Sequence, residues 1–146
     1  MEKIRINKDD VYKIEVNDNG DYIEFDLLDI ELPMKIINLA REIEKQTDFY
    51  NKKSLAIQKQ YKDNQELLFI NKNKCDVDFC NRMRKEFDKL LGENACYKIF
   101  GNINRIGMFD ELFEQLMPHF EKMKVDMGKV KDKLVEKYSV ESKRKI

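Results

Sequence analysis

Two stretches of the chain repeat apolar or small residues at alternating steps of four and three. One runs Ile36, Ala40, Ile43, Thr47, Tyr50, Ser54, Ile57, Tyr61, and the other Phe109, Phe113, Leu116, Phe120, Met123, Met127, Val130, Leu134. Such steps trace a narrow stripe along a helix, and a stripe kept over more than three heptads is a seam for packing on another helix. The two seams are equally long. The simplest expectation is therefore that they pack on each other as an antiparallel hairpin, with leftover apolar surface offered to a second molecule.

Shorter elements surround the seams. Val11 to Val16 alternates, Asn19-Gly20 suits a tight turn and Tyr22 to Leu28 returns, which predicts a β-hairpin over 11–28. With Asn19 and Gly20 at the corners, Val16 pairs with Ile23, Ile14 with Phe25 and Tyr12 with Leu27. On the other face Lys13 meets Asp26, and Glu15 meets Glu24 in a like-charge pair. A lone two-stranded ribbon is marginal in water, so this one must lie on the helices or pair with a partner's strand. Pro33 suits a first helical turn, and a helix is predicted over 33–62, softened near residue 50 by Thr47 and Ser54 at seam positions. The polar stretch from Asp63 to Lys74, interrupted by Leu67, Leu68, Phe69 and Ile70, fits either the end of that helix or a docked loop. Asp76 offers an N-cap, and two short helices are expected over 76–101, closed by Gly92 and Gly101. The last long helix is predicted over 107–138. Pro118 lies inside it and removes a hydrogen bond to the Glu114 carbonyl, and the unbroken seam favours a kink there. Residues 139–146, with Lys143, Arg144 and Lys145, are expected to form a disordered tail. The fold class is thus mainly α, one domain, a helical bundle with long α-hairpin-like helices and a short N-terminal β-hairpin.

Composition narrows the functional classes. Lys plus Arg and Asp plus Glu each number 28, so the net charge is zero and there is no overall field to draw nucleic acid or an anionic membrane. No stretch approaches the roughly 20 apolar residues of a membrane span. Three cysteines at unremarkable spacing, and a charged start from Met1 to Lys8, read as reduced thiols in a cytoplasm. Cys75, Cys80, Cys96 and His119 are the candidate soft-metal ligands, but no two cysteines have zinc-site spacing, and no metal or cofactor is expected. A Cys and His nucleophile would need an orienting third group and a glycine-lined pocket, and neither is visible. Glu15 to Asp26 has the outline of a calcium loop with its glycine in sixth place, yet its end residues are wrong and its flanks alternate like strands. No catalytic signature emerges, and the chain is read as a non-enzyme. Arg82-Met-Arg84-Lys85 could touch phosphates, although Glu86 and Asp88 beside it make it first a mixed solvated face. Met108, Met117, Met123 and Met127 along the last helix suit either an adaptable binding surface or gap-filling in a core.

The run Phe87-Asp-Lys-Leu90-Leu91-Gly92-Glu93-Asn-Ala95-Cys-Tyr-Lys98-Ile99-Phe100-Gly101, followed by Phe109, Phe113, Glu114, Gln115, Leu116 and Pro118, resembles the tail assembly chaperones. These are small helical proteins from the tail-gene cassette of phages that infect Gram-positive bacteria. The Asn17-Asp-Asn19-Gly20 hairpin feeding a helix at Pro33 is similar to members of the same group. The resemblance spans about Val11 to Met123 and rests on helix-corner glycines and aromatics. It implies a protein that coats the tape measure protein and recruits tail tube subunits in the host bacterial cytoplasm during assembly, with a homo-oligomer among the allowed states. The partner-facing residues are then expected to be Ile99, Phe100, Phe109, Phe113, Leu116, Phe120, Met123 and Met127. For Phe109, Phe113 and Leu116, an internal core explains the same pattern. The competing classes are a structural virion component of the tail or connector and a small regulator that binds nucleic acid through Arg82 to Lys85.

Overall fold

The chain begins with a β-hairpin and continues as four helices: β1 (Val11–Glu15), β2 (Tyr22–Asp26), α1 (Leu32–Gln60), α2 (Gln65–Leu91), α3 (Ala95–Phe100) and α4 (Met108–Arg144). The computed structural model describes residues 1–6 and 8–144, with side chains described for residues up to 129 and for 132. The mainly helical class with an N-terminal hairpin is as expected. Its internal arrangement differs in three respects.

The first is the strand register. Tyr12 pairs with Phe25 and Ile14 with Ile23, while Lys13 lies opposite Glu24 and Glu15 opposite Tyr22. The ladder has slipped by two residues from the expected pairing because the turn is longer. Asn17 accepts hydrogen bonds at its Oδ1 from the backbone N–H groups of Asn19 (2.9 Å) and Asp21 (3.3 Å), which closes a loop over residues 17–20. Gly20 supplies the left-handed corner at φ 84°, while Asn19 stays out of that region, so the two-residue turn that needs both does not form. A slip of two leaves every side chain on its expected face. It also removes the Glu15–Glu24 clash and brings the Lys13 ammonium within 4.8 Å of the Tyr22 ring centre.

The second difference is the helix after the first turn. Residues 76–101 do not form two short helices. Instead α2 starts at Gln65, capped by Asn64, whose side chain accepts from the Leu67 N–H at 3.1 Å, and it runs through Asp76 without a break. The Leu67 to Ile70 run belongs to its first turns. Gly92, at φ 111°, ends it as expected. The short α3 follows, its Cys96 N–H donating to Asp88 Oδ1 of α2 at 2.9 Å.

Pairing is the third difference. α1 packs antiparallel on α2, as Tyr50 meeting Phe79 and Cys75, and Lys53 meeting Asp78, make plain. The seam on α1 is close to the expected one, but Leu39 and Gln46 are buried where Ala40 and Thr47 are exposed. The seam of α4 packs elsewhere. Phe120 takes the edge of Phe25 from β2 at 6.3 Å, Phe109 stacks on Phe87 of α2 at 5.5 Å, and Phe100 of α3 meets Phe109 edge-on. α4 continues through Pro118 as one helix to Arg144, so residues 139–144 are helical where a disordered tail was expected. Residues 145 and 146 lie outside the described residues, as do the side chains of Val130 and Leu134 from the seam.

One cluster ties these elements together: Ile23 and Phe25 from β2, Leu32 and Leu39 from α1, Met83 and Phe87 from α2, Cys96 from α3, and Phe109, Leu116, Phe120 and Met123 from α4. Phe87 and Met123 are fully shielded from solvent. Truncating Phe87 to Ala should cost about 3–5 kcal/mol in urea unfolding, whereas Phe69→Ala, on the exposed side of α2, should stay within about 0.5 kcal/mol.

Candidate functional site

The eight residues expected to face a partner do come together, at the α3 corner and along the first half of α4, but they face inward. Phe109, Leu116, Phe120 and Met123 are buried, and Ile99, Phe100, Phe113 and Met127 are half-buried against the same cluster. These side chains hold the hairpin, α2 and α3 to α4. While the monomer keeps this fold, Phe120 and Met123 are covered by the cluster and have no surface to offer. The stripe is a packing seam, and its counterpart is internal.

A different surface is left apolar. Between Gln46 and Met83 the single buried residue is Cys75. Over that length α1 and α2 form a two-helix arm whose outer part from Gln46 to Gln60 spans about 20 Å at 1.5 Å per residue. Inside the arm, the Tyr50 and Phe79 rings lie 5.5 Å apart, and the Cys75 thiol is 3.9 Å from the Tyr50 carbonyl oxygen. Outside it, Phe49 (56% exposed) and Leu55 on α1, and Leu67, Phe69 (73% exposed), Ile70 and Val77 on α2, face solvent. A signal for this surface was present in the chain. Leu67-Leu68-Phe69-Ile70 is an unbroken apolar run, and on a helix four consecutive residues point in all directions, so a two-helix pair can cover only some of them.

The remaining candidates resolve into structural parts. Arg84 donates from Nε to Asn104 Oδ1 (2.9 Å), from Nη1 to the Gly101 carbonyl (3.0 Å) and from Nη2 to the Ile103 carbonyl (3.1 Å). Its guanidinium therefore fastens the α3–α4 connection to α2. Arg82 pairs with the buried Glu86 at 3.2 Å, Met83 is buried, and Lys85 is exposed with no ion pair among the described residues. His119 is half-buried, and its Nδ1 lies 2.8 Å from the Tyr12 hydroxyl, tying β1 to α4. Burial pushes the Cys75, Cys80 and Cys96 thiols above their ordinary range, most strongly at Cys96, where Asp88 adds to the effect. That keeps them as thiols, the less nucleophilic form. Among the described residues no group of three His, Cys, Asp or Glu side chains is placed to hold a metal ion. An open groove of about 760 Å³ along α1 is walled by Arg41, Glu44, Lys45, Asp48 and Asp110, charges of both signs in contact with water.

No family model, curated protein or solved structure matches this chain. Among the described residues no helix is long and apolar enough to cross a membrane. The functional reading therefore rests on the chain's own geometry and on the resemblance in its helix corners.

Arg84 gives a direct check on the reassigned basic cluster. Arg84→Ala should lower stability by about 2 kcal/mol in denaturant unfolding, because two carbonyls and an amide lose a charged donor. Arg84→Lys should recover little of it, since an ammonium cannot span three acceptors held in a fork.

Proposed function

We propose that this protein is a non-enzymatic interaction module that clasps a helical client. Following the resemblance to tail assembly chaperones, we assign it that role: it binds the tape measure protein of a tailed phage and recruits tail tube subunits in the host cytoplasm during assembly. The observation that carries the reading is the arm, a narrow pair of helices that leaves Phe49 and Leu55 exposed on α1 and four further large apolar side chains exposed on α2. Fully burying such a side chain from full exposure is worth about 1.5–3 kcal/mol, so covering the exposed half of Phe49 and Leu55 gives a client helix laid along α1 about 2–3 kcal/mol from the two together. Asp48 and Lys52 lie on the same exposed face of α1 and form an ion pair at 3.1 Å, which a client helix has to accommodate beside the two apolar side chains.

The test is co-expression with the tape measure protein proposed as its client. A stable complex is expected, and the Phe49→Asp/Leu55→Asp double variant should bind at least about tenfold more weakly with an unchanged helical circular dichroism spectrum. Absence of a complex, or wild-type affinity in the double variant, would overturn the assignment. Presence of the protein in purified, finished particles would replace it with a structural tail component.

A further inference from the structure

The net charge of zero conceals two segments of opposite sign. From residue 9 to residue 31, across the hairpin, nine acids face one lysine; from residue 49 to residue 74, around the outer arm, six lysines face two acids. Some of these charges are satisfied internally: Asp29 pairs with Lys35, Lys52 with Asp48 and Lys53 with Asp78. The rest are not. Glu15, Asp18 and Glu24 on the hairpin, Lys59 and Lys62 at the arm's tip, and Lys74 about 14 Å further along α2, are exposed and take part in no ion pair among the described residues.

Each charged region also carries uncovered apolar side chains. The arm's tip has Leu67, Phe69 and Ile70, and the hairpin end has Tyr22, Leu28 and Ile30, the last 94% exposed. Within one molecule these surfaces cannot meet. The hairpin is tied to α4 through Phe25 and Phe120 and to α3 through Asn17 and the Lys98 carbonyl. The tip lies at the far end of α2, about 33 Å along the helix from Phe87 in the core.

We propose that the arm tip of one copy docks on the acidic hairpin end of a second copy, in a head-to-tail contact. Opposite charge sets the direction and the apolar side chains supply the contact area. Because the two surfaces are different, every docked copy leaves a free tip at one end and a free hairpin at the other, so association continues beyond a dimer. The contact uses α2's tip and leaves Phe49 and Leu55 on α1 uncovered, and it does not depend on what client the arm grips.

Sedimentation velocity of the purified full chain tests this without any client. Association is expected at about 0.01 M salt and should be lost at about 1 M, as the screening length falls from roughly 30 Å to roughly 3 Å. Neutralising the arm (Lys59→Gln, Lys62→Gln, Lys74→Gln) or the hairpin (Glu15→Gln, Asp18→Asn, Glu24→Gln) should each weaken association about tenfold. Phe69→Ser, which changes no charge at a position facing solvent, should do the same. The decisive sample is an equimolar mixture of the two neutralised variants: one good tip and one good hairpin remain per pair, so it should form a heterodimer and stop there. A chain that is monomeric at low salt, association indifferent to salt or to all three variants, or a mixture that stays monomeric would each overturn the proposal. Circular dichroism of every variant checks that the fold persists, and Phe69→Ser carries the test if a triple variant unfolds.

Discussion

Because an apolar helix face can be covered only once, the rest of this molecule follows from what the first half of α4 packs against. Its stripe from Met108 to Met123 is taken by β2, by the C-terminal end of α2 and by α3, in a cluster where Phe25, Phe87, Phe100, Phe109 and Phe120 meet ring to ring. Offset and edge-to-face ring pairs add about 0.5–1.5 kcal/mol each to the burial of large side chains, enough to outweigh a seam of mixed small and polar residues. α1, with Thr47 and Ser54 on its expected stripe, is the weaker competitor for that face. It pairs with its sequence neighbour α2 instead, through a short turn at Tyr61 to Asn64 that favours antiparallel packing.

That choice explains the arm. Past Gln46 no α1 side chain joins the central cluster, and a two-helix pair can bury one face of each partner only. Leu55, Phe69 and Val77 are left outside as a geometric consequence. The marginal β-ribbon is stabilised by the same cluster. Ile23 and Phe25 are buried under it, and the Tyr12 hydroxyl and His119 imidazole join strand to helix at its edge.

Much of this was legible residue by residue. The α4 stripe appears in the sequence almost as it packs, because six large apolar residues at strict helical spacing leave one way to bury them. Gly92 and Gly101 mark their helix ends, and Asn19-Gly20 marks the turn, although the reach of the Asn17 side chain to two backbone N–H groups lengthened it. The start of α2 was hidden because Asn64 and Asp76 are both competent caps, and the choice between them depends on α1 being present to cover Leu68 and Cys75. The site was less legible than the fold. A seam says that a helix packs, and only three-dimensional closure says whether the partner is internal. Charge segregation was equally open to view in the chain, yet a net balance of zero sums it away.

Hydrogen exchange followed by mass spectrometry over the full chain tests the central claim most directly, namely that α4 is consumed inside the monomer while the arm stands apart. The account predicts that amides of β2, of α2 beyond Met83 and of α4 from Phe109 to Met123 exchange only with global unfolding, and that residues 49–74 exchange through a separate opening of lower free energy. Equal protection across the arm and the core, or early exchange along Phe109 to Met123, would contradict it.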